Sequence, residues 1–281
     1  MVKRLLIIVS SLSVLFFALT VMAADLALYT GPTNPDWISN ASCRREADDM
    51  ISGLKGVFKN INDYGDKQEK DLGEWAKKHT GNKQSDVIIL ACGTTPSSLY
   101  PFPNKEPDGS VVENFIDDGN VLINIADWIF YMSFEGGVRS ADNGGTGAAN
   151  VFDIPGLDFG SRSNNMKVND NGKKYLPSLK DFTNDRPWHV EQLKGTDWEV
   201  TTFAEADANN ADPAVAVNKK TGGIIAAIMQ KAWPNPAAAE DNRGEVVVEF
   251  VKNWLSLQIK LGASVESAGK LSITWGEIKT Y

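Results

Sequence analysis

Three short stretches of this chain carry apolar residues almost without interruption, and the segments around them repeat apolar residues at helical spacing. "LALYTG" (residues 26–31) reads as a strand ending at a glycine, ahead of a proline-bearing loop over residues 32–37. Ala47, Met50, Ile51, Leu54 and Phe58 then recur at steps of 3, 1, 3 and 4, one face of a helix that starts near Ser39 or Asn40. A second helical patch around Leu72, Trp75 and Ala76 leads into "DVIILAC" (residues 86–92). Consecutive large aliphatics bounded by polar residues predict a strand covered on both faces, as in a parallel sheet. A turn-rich loop follows, then a short helix beginning at residues 111–116 and stopping at Asp118-Gly119, then the third apolar strand, "NVLINIADW" (residues 120–128). This β-α-β rhythm predicts an open α/β sheet.

Residues 132–186 lose the rhythm. Paired glycines at 136–137 and 144–145 and the Asn164-Asn165 pair mark loops, and "VNDNGKKY" reads as a turn between extended pieces. The expectation is an irregular insertion packed over one end of the sheet. The pattern returns with a strand over residues 197–206 and two apolar arms over residues 213–229, a hairpin around the turn at residues 219–223. Val247, Val248, Val251, Trp254 and Leu255 make an amphipathic closing helix over residues 245–257, and residues 258–281 form an appended tail.

The N-terminus adds a location. Lys3 and Arg4 precede an apolar run over residues 5–19, and Val21-Met22-Ala23 puts small residues at the −3 and −1 positions of a cleavage site before Ala24. A basic head, an apolar middle and a small-residue exit predict a cleavable secretory leader over residues 1–23, and a periplasmic or extracellular mature chain without a membrane span. Losing Lys3 and Arg4 takes 28 basic residues to 26 against 36 acidic ones, a net charge of −10 in place of −8. Dispersed basic residues on so acidic a chain argue against nucleic acid as a partner. In an oxidising compartment the two cysteines, Cys43 and Cys92, either pair or stay as two buried thiols.

The order of these pieces resembles the class I glutamine amidotransferase-like fold, in particular its ThuA-like (trehalose-utilisation) branch, over residues 25–256. "DVIILACGTTP" matches the family's buried strand and the glycine loop that helps form an oxyanion hole. "FIDDGNVLINIADW" matches the helix, glycine and strand that lead to its nucleophile elbow. "PAVAVNKKTGGIIAAIMQKAWP" matches its final hairpin, ahead of the closing helix. The resemblance implies a three-layer, mainly parallel, flavodoxin/amidotransferase-like α/β domain over residues 24–257, with an antiparallel hairpin near its C-terminal edge. The chemistry departs from the family. Its Gly-x-Cys-x-Gly turn is replaced by Asn124-Ile125-Ala126-Asp127-Trp128, and its His-x-Glu pair by Gln230-Lys231-Ala232-Trp233. A strained elbow needs its glycines and its nucleophile, so the expectation is the family fold without the family's catalysis.

Candidate sites follow from position. Loops at the carboxyl ends of parallel strands meet at one crevice, where ligands usually bind. Asp36, Trp37, Gly93, Thr94, Thr95, Tyr100, Asp127, Trp128 and Tyr131 fall there. Carboxylates beside aromatic faces suit a sugar, whose hydroxyls need acceptors while its C–H face stacks on a ring. The alternative is packing, with indoles beneath the loops and aspartates capping turns. A displaced hydrolase or amidotransferase site would use Cys92 as nucleophile with His189 and Glu191 as base and orienter, or would use Asp127. His79 and His189 form no ligand-spaced pair, and "DNGGTG" and "NDNG" do not continue as calcium loops, so no metal is expected. The absence of a Gly-x-x-x-x-Gly-Lys-Ser/Thr run leaves no cofactor indicated. The leading reading is an exported, non-catalytic domain that binds a small polar ligand, with carbohydrate favoured, or a protein partner. A structural or surface-interaction protein, docking its tail as an added strand, is the third reading.

Overall fold

The computed structural model describes residues 24–33, 38–104, 109–160, 164–229 and 241–261. The predicted leader therefore lies outside the described residues, as do Asp36 and Trp37, residues 230–233 and the tail from residue 262.

Seven strands form the main sheet. In chain order they are β1 (Leu26–Tyr29), β2 (Ile61–Tyr64), β3 (Val87–Leu90), β4 (Val121–Ile125), β10 (Trp198–Thr202), β13 (Ala214–Asn218) and β14 (Ile224–Ile228). Their spatial order is β10-β13-β14-β4-β3-β1-β2. From β2 to β14 the neighbours are parallel, and β13 and β10 add an antiparallel flank. The fold is α/β with a large, mixed, mostly parallel sheet. Every residue of β1, β3, β4 and β14 is buried. These inner strands are covered on both faces, which is why their sequences are unbroken apolar runs.

Successive side chains of a strand face opposite ways, and two separate cores result. Leu26, Leu28, Ile89, Ile123 and Ala226 pack with α1 (Asn40–Leu54) and α5 (Arg243–Glu249). Ala27, Ile88, Leu90, Leu122 and Ile225 pack with α2 (Glu69–His79) and α3 (Val111–Asp117). Helix α1 starts where Ser39 accepts from the Ser42 amide, and α3 starts in a capping box between Ser110 and Glu113. The α1–α5 contact is close. A Cβ on Gly244 would lie 2.6 Å from the Glu46 carbonyl oxygen. The closing helix begins at Arg243 and passes into a π-helical turn over Phe250–Trp254.

A second, antiparallel sheet has the order β8-β7-β11-β12-β9, built from β7 (Asn164–Val168), β8 (Phe182–Asn184), β9 (Trp188–His189), β11 (Ala204–Glu205) and β12 (Asn210–Ala211). Strand β7, within the segment read as irregular, pairs with β11 beyond residue 186. Two expectations are corrected here. "VNDNGKKY" is not a turn: Asn169 caps the Gly172 amide and starts helix α4 (Asp170–Tyr175). The strand read over residues 197–206 splits at buried Phe203 into β10 of the large sheet and β11 of the small one. Strand β2, which carries no apolar run, is polar and half-exposed because it lies at the sheet edge. A small hairpin, β5 (Phe134–Glu135) with β6 (Val138–Arg139), completes the strands. Among the described residues no helix is long and apolar enough to cross a membrane.

Candidate functional site

Three neighbouring strands leave the carboxyl rim of the main sheet through left-handed residues. Gly93 follows β3 with φ +74°, Ala126 follows β4 with φ +73°, and Met229 follows β14 with φ +52°. Side chains rarely adopt this conformation, and such residues persist where the surroundings over-determine them, often at binding sites. The packing at Gly93 shows the constraint. A Cβ there would sit 2.8 Å from the Asp127 Cβ and 2.9 Å from its amide nitrogen. The loop after β3 is thereby seated directly on the turn after β4.

Cys92, at the base of that loop, is bonded to Cys43 in the first turn of α1, with the two Cα atoms 5.4 Å apart. The bridge ties helix to strand next to the rim. It also consumes the thiol, so the Cys92–His189–Glu191 catalytic reading is corrected. His189 and Glu191 do adjoin one another, Nδ1 to Oε1 at 4.0 Å, but no free thiol remains for them to serve. Thr94 donates to the Pro32 carbonyl at 3.1 Å, strapping the loops after β3 and β1 together. The Thr95 amide donates to the Met132 carbonyl. Tyr100 turns away from the crevice. Its hydroxyl donates to the Gly147 carbonyl at 2.8 Å and its ring packs on Phe102 and Phe130, with burial pushing its pKa up. A rim role for Tyr100 is thus withdrawn.

The chemistry concentrates on the turn after β4. Asp127 is fully buried; its Oδ1 accepts from the Trp128 amide and pairs with the guanidinium of Arg186. Arg186 arrives from the loop between β8 and β9 and is held from behind. Its amide donates to Asn184 Oδ1 at 2.6 Å, Asn184 donates to Asp212, and Asp212 Oδ1 accepts from the Met229 amide at 2.7 Å. The small sheet therefore delivers a cation to the rim of the large one. The Arg186 guanidinium carbon lies 3.8 Å from the Trp128 ring centre and 5.0 Å from that of Tyr131. Burial pulls its pKa down to about 10; the adjoining carboxylate favours the charged form.

The row continues outward. Trp128 meets Tyr131 edge-on at 5.2 Å, and Arg139 donates to both the Tyr131 hydroxyl (2.8 Å) and Asp142 (2.7 Å). Arg186 covers one face of Trp128, whose indole N–H donates to the Gly160 carbonyl at 2.9 Å. The half-exposed end of the row is the Tyr131–Arg139–Asp142 group. The structure thus brings together Gly93, Asp127, Trp128 and Tyr131 of the expected residues. It adds Arg186 and Asn184, whose relation to Asp127 arises only when the two sheets meet, and Arg139, which the β5–β6 hairpin brings to Tyr131. Two buried oxygens at this rim, Asp127 Oδ2 and Thr95 Oγ1, have no hydrogen-bond partner among the described residues. Buried polar atoms without partners are uncommon in native proteins and each asks for one. Among the described residues no group of three His, Cys, Asp or Glu side chains is placed to hold a metal ion.

No protein-family model, curated protein or solved structure matches this chain. The functional reading therefore stands on the rim itself. That rim offers acceptors, donors and aromatic rings.

Proposed function

We propose that this protein is an exported, non-catalytic α/β domain of the amidotransferase-like kind, binding a small polyhydroxylated ligand, a carbohydrate, at the rim formed by Asp127, Trp128, Tyr131 and Arg186. The observation that carries this reading is the buried Asp127–Arg186 pair under the Trp128–Tyr131 rings, with the half-exposed Tyr131–Arg139 end of the row beside it. Fixed donors and acceptors next to aromatic surface suit a ring that is apolar on its faces and hydroxylated at its edge.

Several features support the finer parts. The order β2-β1-β3-β4-β14 follows the 2-1-3-4-5 sequence of doubly wound flavodoxin-like sheets, with helices against both faces, which favours a three-layer reading. Ala126 stands in a left-handed turn at the end of an inner strand, where the related elbow would carry its cysteine. The Cys43–Cys92 bridge fits an oxidising compartment and so favours export, together with the leader pattern of residues 1–23.

The test is calorimetric titration of the full chain with a panel of neutral and acidic mono- and disaccharides, followed by tryptophan fluorescence. Saturable binding is expected, weakened about tenfold or more by Tyr131→Ala, the loss of one stacking and hydrogen-bonding group. No binding across the panel, or turnover of an amide, ester or glycoside, overturns the proposal.

A further inference from the structure

One edge of the large sheet is open in a patterned way. Among the described residues, strand β10 pairs with β13 on one side only. The Lys219 amide donates to the Asp197 carbonyl and the Phe203 amide to the Pro213 carbonyl. In an antiparallel ladder this places residues 197, 199, 201 and 203 in hydrogen-bonded pairs, and turns the backbone groups of Trp198, Val200 and Thr202 outward. Both ends of that outer row are capped. The Trp198 amide donates to Thr196 Oγ1, and the Thr202 carbonyl accepts from the side chains of Asn169 and Asn171. Among the described residues nothing caps the middle of the row, centred on the N–H and C=O of Val200. Beside it runs a cleft of about 340 Å³ whose walls include Val190, Leu193, Trp198 and Val200, with Lys194 and Lys219 at its margin. A bare strand edge next to apolar surface is a template for another strand.

The chain carries a segment of matching pattern. Leu271, Ile273 and Trp275 alternate with Ser272, Thr274 and Gly276, the period of a half-buried strand. The residues that lead into this segment pack at the right end of β10. Trp254 packs on Phe203, the residue after β10, at 6.1 Å between ring centres, and Ile259 and Leu261 pack on the same core. From Leu261 to Lys270 the backbone can span about 30 Å, well over the length of β10. The opposite edge, β2, offers the polar sequence Ile-Asn-Asp-Tyr and no comparable apolar row.

We propose that residues 262–281 of this same chain add an eighth strand to the large sheet, antiparallel to β10, with Leu271, Ile273 and Trp275 closing the cleft over Val190 and Leu193. The direction follows from the geometry: the tail enters at the Thr202 end and runs toward Trp198. It would meet the Val200 N–H and C=O and cover an edge that otherwise invites association with other chains.

Amide hydrogen exchange on the full-length protein tests this. The Val200 amide is expected to be protected in the wild type and to exchange at least about tenfold faster in Ile273→Pro, which cannot sustain the ladder. Equal Val200 exchange in the two proteins overturns the proposal. Lysine-directed cross-linking of the unmodified wild type gives an independent readout, with Lys279 expected to link to Lys194 or Lys219. Links from Lys279 only to residues remote from β10 overturn it. Protection should persist through a dilution of about fiftyfold, and its loss would assign the added strand to a second copy and overturn the intrachain reading.

Discussion

Gly93 and Asp127 touch backbone to backbone across the rim: the space a Cβ would need at Gly93 is already filled by the Cβ and amide nitrogen of Asp127. The seating of the β3 loop on the β4 turn depends on that missing atom. Gly93→Ala must find room in a buried, left-handed position. The expected loss is about 2 to 4 kcal/mol, combining the cost of φ near +74° for an L-residue with overpacking. Urea unfolding of the two proteins measures it. A loss below half a kcal/mol would mean that the two loops are not held in this contact.

Ala126 is the complementary case, a residue with a Cβ in a conformation that favours glycine, and it is buried. Ala126→Gly removes the conformational penalty of about 1–2 kcal/mol but frees the unfolded chain, so stability should change by less than about 1 kcal/mol. Ala126→Val adds a branched side chain to the same strained, filled site and should cost about 3 kcal/mol or more. The contrast between the two variants in one denaturation series is the readout.

The Asp127–Arg186 pair is a buried ion pair joining two sheets. Breaking such a pair from one side leaves an uncompensated buried charge, whereas removing both charges often costs less. Asp127→Asn is expected to lose about 3–5 kcal/mol, and the double variant Asp127→Asn/Arg186→Met to lose less than the single one. Thermal melts of the four corners of this cycle decide it. Additive losses would show that the two side chains do not interact.

How far the sequence anticipates this structure depends on where each residue's partners lie. Strands β1, β3 and β4 are legible because burial on both faces leaves an unbroken apolar run, and Ser39 marks the start of α1 because capping is local. The hairpin of β13 and β14 is equally local, its turn closed by Asn218 accepting from the Lys220 amide. The small sheet is illegible for the opposite reason. Strands such as Trp188–His189 and Asn210–Ala211 have two residues each, too few to show a period, and they exist only by pairing with one another. Asp127 is readable as a rim residue from its place after an inner strand. Arg186 is not, since its meeting with Asp127 is a property of the packing between sheets.

Glu46 gives a pH-dependent prediction. It is buried at the α1–α5 contact, where its carboxylate accepts from the Gly244 amide at 2.7 Å and from Arg45. Burial pushes its pKa up, and nearby Asp241 adds to the shift, against the opposing hydrogen bonds. An acid with a raised folded-state pKa binds its proton more tightly in the folded protein. Its contribution is fully present below the ordinary value of about 4.5 and is lost as pH rises through the raised one. Glu46→Gln lacks this titration. The stability of the variant relative to wild type should therefore climb as pH rises through that window, then level off. A flat difference from pH 4 to pH 7 by urea unfolding would remove Glu46 as a titrating element of the helix contact.

The bridge between Cys43 and Cys92 closes a loop with a sequence separation of 49. In the chain-entropy picture a loop of that size restricts the unfolded ensemble by about 4 kcal/mol. Because the bridge also pins the first turn of α1 to the end of β3, its loss acts on the folded rim as well. The double variant Cys43→Ala/Cys92→Ala is expected to unfold at lower denaturant by an amount equivalent to about 3–5 kcal/mol. Unfolded, unreduced wild type should show no thiol to a colorimetric reagent and two after reduction. The effect on the site separates from the effect on stability at low temperature, where the variant stays folded. If the bridge merely staples the chain, carbohydrate binding at the rim survives; if it positions the Gly93 loop against Asp127, affinity falls while the far-ultraviolet spectrum is unchanged. The second outcome is expected, because Gly93 follows Cys92 directly and its contact with Asp127 tolerates no added atom.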